Sequence, residues 1–80
     1  MNTTYSYHIV AKYDDCEIEF RTNKIDVACG EFYRHFGESV SVAVIDGYTG
    51  EVLADWDEVD GLSTCPEWKY LLAGWVMLNL

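Results

Sequence analysis

The sequence predicts a single α+β domain spanning residues 1–80, with elements in the order β-β-α-β-β-α. Three observations carry that expectation. Apolar residues alternate with polar ones in four short runs. One intervening stretch repeats its apolar residues at three- and four-residue intervals. Turn-forming residues separate the runs in pairs. At 80 residues, with half of them hydrophobic and 15% aromatic, the chain has material for one modest core and not two.

From Tyr5 to Tyr13 the odd positions Tyr5, Tyr7, Ile9, Ala11 and Tyr13 form one side of a strand, and Ser6, His8, Val10 and Lys12 form the other. Asp14-Asp15 supplies turn-favouring carboxylates, after which Cys16, Ile18 and Phe20 alternate with Glu17, Glu19 and Arg21. A first hairpin follows. Thr22 or Asn23 then offers a side-chain oxygen to the free amides of a helix start, and Asp26 suits the positive end of its dipole. Ile25, Ala28, Cys29, Phe32, Tyr33 and Phe36 draw one stripe along that helix, which Gly37 ends. Gly30, costly inside a helix by about 1 kcal/mol, is expected to mark a close approach to the sheet.

Glu38 to Asp60, ESVSVAVIDGYTGEVLADWDEVD, is the stretch around which the rest is organised. Val40, Val42 and Val44 alternate through a strand rich in β-branched residues. Asp46 to Gly50 turns the chain with two glycines available for positive φ, and Val52, Ala54 and Trp56 return on the core side. Ile45 and Leu53 are expected to meet on the outer face. Glu58 to Ser63 reads as a polar loop, and Thr64-Cys65-Pro66-Glu67 matches a capping box with proline in the first turn. The segment Trp68 to Leu80 is apolar nearly all round. Such a segment is either a helix that needs cover on several sides, the expectation adopted here, or a short helix stopped at Gly74 and followed by a strand.

Motifs for chemistry are missing. Counted from Asp55, an EF-hand loop would place Val59 at the fifth position, Asp60 where glycine belongs and Pro66 where the bidentate glutamate belongs. Cys16, Cys29, Cys65, His8 and His35 stand singly, without the paired spacing of a zinc site, and both histidines are expected at the surface. Three irregularly spaced cysteines point to reduced, packed thiols. No cofactor, metal or catalytic residue is expected, and the protein is expected not to be an enzyme. The N-terminal MNTTYSYH has neither the basic nor the apolar region of a secretory leader, and no apolar run is long enough to span a bilayer, so the expected location is the cytoplasm.

Charge is the informative feature. Fourteen acidic residues against five Lys and Arg give a formal net charge of −9, which repels nucleic acid and anionic membranes and favours a basic protein partner. Between His35 and Trp68 there is no Lys or Arg, while Glu38, Asp46, Glu51, Asp55, Asp57, Glu58, Asp60 and Glu67 all fall there. Residues two apart on a strand point the same way at roughly 6–7 Å. Glu51, Asp55 and Asp57 therefore form a row, with Glu58 and Asp60 beyond it and a shorter row, Glu17 and Glu19, on another strand. Tyr48 at the hairpin tip is an aromatic anchor for the same partner.

In size, acidity and hairpin-rich build the chain resembles the small proteins with which phages and mobile elements disarm host defences, of which anti-CRISPR proteins are the best known. The resemblance covers the whole chain as a class and assigns no residue. It implies an inhibitor that imitates nucleic-acid charge and occupies the channel of a CRISPR effector, in the host cytosol. The alternative is a structural or oligomerising module, homodimeric through Trp68 to Leu80, whose acidic face only keeps it dissolved.

Overall fold

The valine-rich strand predicted in the middle of the chain is also the middle of the sheet. The computed structural model describes residues 4–79. The strands are β1 (Tyr7–Lys12), β2 (Glu17–Thr22), β3 (Ser41–Asp46), β4 (Val52–Asp57) and β5 (Gly61–Thr64), and the helices are α1 (Ile25–His35) and α2 (Pro66–Leu78). All pairings are antiparallel, in the order β2-β1-β3-β4-β5. Met1 to Thr3, part of the segment read for a leader, and Leu80, the end of the apolar segment, lie outside the described residues.

Ile9 lies opposite Val44, Ala11 opposite Val42, and Val44 opposite Ala54, so these five share one face of the sheet. Ala28, Cys29 and Phe32 of α1 and Trp68 and Leu72 of α2 complete a single buried cluster on that face. Each large side chain fully buried there contributes about 1.5–3 kcal/mol relative to exposure. The two helices also grip each other. Trp75 stacks on Tyr33 at 5.3 Å between ring centroids, and the Tyr33 hydroxyl donates to the Leu72 carbonyl at 3.2 Å. Among the described residues, the other face of the sheet carries no helix.

Several local expectations are corrected. A fifth strand occupies part of the predicted polar loop: Asp57 Oδ1 accepts the N–H groups of Val59 and Asp60, Gly61 takes a φ of +77°, and the chain reverses onto β4. Thr64 ends that strand, so the capping box does not form; Cys65 is the cap residue and makes no side-chain cap bond, although Pro66 does open the helix. Neither Thr22 nor Asn23 caps α1. Lys24 holds that position, Thr22 Oγ1 accepts the Lys24 N–H, and Asn23 Oδ1 accepts the Ser6 N–H.

Gly30 faces the second helix rather than the sheet, since a Cβ there would lie 3.3 Å from Trp75 Cζ2. A register shift between Val44 and Ile45 sets Val52 opposite Ile45, and Leu53 packs partly buried against the core cluster instead of on the open face. The apolar C-terminal segment is helical through Leu78, with Gly74 inside it.

Candidate interaction surface

Rows of residues across the helix-free face follow from the strand register. One row reads Glu17, Lys12, Ser41, Asp57, Gly61, and the next reads Glu19, Val10, Ala43, Asp55, Ser63. A third holds Arg21, His8 and Ile45. Glu17 and Glu19 thus share a face with Asp55 and Asp57, three strand spacings away, or roughly 14 Å. Val10 and Ala43, between Glu19 and Asp55, form with Ile45 an apolar strip that lines a shallow depression of about 430 Å³ together with Lys12, Glu17 and Asp55.

The same topology gathers charge at one end of the sheet. β1 finishes there, β2 starts there, and β3, β4 and β5 meet the same rim through the α1–β3 connection and the β4–β5 turn. Backbone bonds tie these segments together: Val40 N–H donates to the Lys12 carbonyl (2.8 Å) and Glu58 N–H to the Val40 carbonyl (3.2 Å). Asp14, Asp15, Glu17, Glu38, Asp57, Glu58 and Asp60 therefore converge on one rim although they are spread over nearly fifty positions of sequence. Asp14, Asp15 and Glu38 were not among the residues expected from spacing, because only the antiparallel register reveals their neighbours.

Cations temper this surface. Lys12 sits opposite Glu17 in the first row, and Arg21 reaches Glu19 at 4.0 Å with both side chains more than half exposed. An ion pair that open to water is worth at most about 1 kcal/mol. Asp57 is also partly committed, since one carboxylate oxygen forms the β4–β5 turn.

Tyr48 and Glu51 lie at the opposite end of β4, in the β3–β4 turn, away from the acidic rim. Tyr48 is 70% exposed there. The turn is organised by Asp46, whose Oδ1 accepts the N–H groups of Tyr48 (2.8 Å) and Thr49 (3.0 Å). Those hydrogen bonds hold the Asp46 carboxyl below its ordinary range. A carboxyl depressed by folding adds stability that is complete above its unfolded value, about 3.9, and is lost as pH falls through the folded value. Asp46→Asn keeps an acceptor oxygen without the charge. The gap in Tm between wild type and that variant, present at pH 5, is expected to close as the pH is lowered through the carboxylate range in thermal melts.

His35, expected at the surface, is buried. Its Nδ1 shares a hydrogen bond of 2.5 Å with the Tyr13 hydroxyl, its Nε2 lies 3.8 Å from Glu31 Oε2, and its own carbonyl accepts the Ser39 hydroxyl. The cluster fastens the end of α1 to β1. It lines neither the open-face depression nor the helix groove described below. His8 projects from the open face, as expected. Of the free cysteines only Cys29 is fully buried; burial, with Asp26 nearby, raises its thiol. Cys65 is half-buried and Cys16 is exposed, contrary to the expectation that all three pack inside.

Among the described residues no group of three or more His, Cys, Asp and Glu is placed to hold a metal ion, and no helix is long and apolar enough to cross a membrane. On the helix side, α1 and α2 leave an apolar groove of about 270 Å³ lined by Ile25, Cys29, Leu71, Gly74, Trp75 and Leu78. Tyr70, which also lines it, Leu78 and the neighbouring Met77 are 76%, 86% and 77% exposed. No family model, curated protein or solved structure matches the chain.

Proposed function

We propose that this is a non-enzymatic binding protein that presents the helix-free sheet face and its acidic rim to a basic, nucleic-acid-handling protein in the cytoplasm, as an anti-CRISPR inhibitor does to the channel of a CRISPR effector. The supporting observation is the convergence of Glu17, Glu19, Asp55 and Asp57 on one rigid face, continuous with Glu58 and Asp60 at its rim. Carboxylates carried on strands need no backbone reordering on binding, which limits the entropic cost of association. They also steer a cationic partner from a distance, with strong salt dependence. The apolar strip of Val10, Ala43 and Ile45 supplies contact area that charge alone does not.

Competition tests this reading. Titrated into a CRISPR effector holding its target DNA, the protein is expected to displace DNA at low salt and much less at high salt. Asp55→Asn, Asp57→Asn and Asp60→Asn combined leave the Asp57 turn an acceptor oxygen, so the fold survives while displacement weakens by at least tenfold, or about 1.4 kcal/mol. Equal potency of that variant would refute the reading. Exposure of Tyr70, Met77 and Leu78 at the helix groove favours a second reading, an oligomerising module working through α2. Loss of self-association in Leu78→Glu, with DNA displacement absent in wild type, would select it.

A further inference from the structure

Among the described residues β2 is an edge strand, and its outer side carries a charge pattern that fits its own copy. The Tyr13 N–H donates to the Cys16 carbonyl at 2.8 Å, which fixes the even-numbered residues of β2 as those whose backbone groups turn toward β1. Strand alternation then directs the N–H and C=O groups of Glu17, Glu19 and Arg21 outward, along that edge. The side chains of these three residues stand on the helix-free face. Ile18 and Phe20, on the helix side, are 41% and 37% exposed, and within β2 only Thr22 is buried.

An edge of this length normally needs protection or a partner. The opposite edge, β5, has four residues and no charge, and so carries no comparable pattern.

We propose that β2 pairs antiparallel with β2 of a second copy, in the register centred on Phe20, to give a continuous ten-stranded sheet. Charge selects that register. Centred on Glu19, the pairing sets Glu19 against Glu19 between two Glu17–Arg21 pairs; centred on Ile18, it opposes Glu17 and Glu19 twice; centred on Arg21, it opposes two arginines. Like charges directly opposite are destabilising.

Centred on Phe20, each Glu19 lies across from the partner's Arg21, with no like pair, and the outward backbone groups of both residues form four hydrogen bonds across the dyad. Phe20 meets the partner's Phe20 in a non-hydrogen-bonded site, where Cα atoms stand about 4.5 Å apart. The two-fold axis runs perpendicular to the sheet, so both helix layers stay on one side and both acidic faces on the other. The contact is short, and the association it supports is correspondingly weak and reversible.

Sedimentation over a wide concentration range tests the pairing. Wild type is expected to form dimers. Arg21→Glu and Glu19→Arg each weaken the dimer by about tenfold or more, and the double variant, which restores opposite charges, regains it. Glu19→Pro removes an outward amide that the β1–β2 ladder does not use, and is expected to abolish dimers.

A cross-link supplies a readout independent of these substitutions. In a Cys16→Ser background, oxidised Phe20→Cys is expected to yield a disulfide joining position 20 of both copies, since the Cα spacing suits one, whereas Ile18→Cys, which lies opposite Thr22, yields none. A wild type that stays monomeric throughout would overturn the proposal. So would dimers that persist in Arg21→Glu and vanish in Leu78→Glu, which would place the contact on α2.

Discussion

Phe32→Ala is expected to destabilise the protein by about 3–5 kcal/mol, a large share of what a domain this size has. Phe32 is fully buried, the largest side chain that is, and sits where α1 crosses the sheet. Its ring also makes edge and tilted contacts with Tyr33 and Phe36, at centroid separations of 5.7 and 5.9 Å. Through Phe36 the set continues to Trp56 on β4, at 5.0 Å. Removing Phe32 thus opens a cavity and loosens both neighbouring rings, and through Phe36 the contact to Trp56. An 80-residue domain has roughly 4–12 kcal/mol in total. Chemical denaturation would show the loss as a lowered midpoint; an unfolding free energy within about 1 kcal/mol of wild type would mean that the core is not centred on this ring.

Gly47→Ala is expected to cost about 3 kcal/mol or more, the upper range for forced overpacking. The reason is space and not dihedral freedom. Gly50, Gly37 and Gly61 have positive φ and Gly47 does not, contrary to the expectation that both turn glycines need it. A Cβ on Gly47 would instead overlap the backbone carbonyl of Tyr5 and press on His8 Nε2. Backbone cannot step aside as a flexible side chain does. The Gly47 N–H donates to the Ser6 carbonyl at 2.8 Å, so the clash would pull the start of β1 off the β3–β4 turn. Hydrogen exchange should show the Gly47 amide and the first residues of β1 losing protection before the core strands. Wild-type protection at the Gly47 amide would contradict this account.

Elements long enough to show their period were legible in the sequence. The stripe of α1 and the alternation of β1 and β3 each repeat several times, so chance is a poor rival; in β4 the register shift exposes Val52, expected in the core, and packs Leu53 against it. β5 was not legible, because Gly61–Thr64 holds one large apolar residue, Leu62, and four residues cannot establish a period of two. The capping box failed for a related reason: Thr64 satisfied the motif but was already needed by the strand. A lone histidine at a helix end gives no sign of burial. Only the 22-residue separation closed by the sheet brings Tyr13 to His35.

The candidate surface was half legible for similar reasons. Alternation correctly put Glu17 with Glu19 and Asp55 with Asp57, since side chains on one strand follow from period two alone. The distance between those rows, and the arrival of Asp14, Asp15 and Glu38 at the same rim, depend on strand order, which no local pattern encodes. Tyr48 and Glu51 were grouped with the rows by adjacency in sequence, yet a six-residue strand holds them at its other end.

The most direct test compares the salt dependence of DNA displacement from a CRISPR effector by wild type and by the triple Asp55, Asp57, Asp60 to Asn variant. If the fixed carboxylates are the contact, the wild-type potency falls steeply as salt rises and the variant follows a shallower line from a weaker start. Two lines of equal slope and equal potency, or an absence of displacement at any salt concentration, would contradict it.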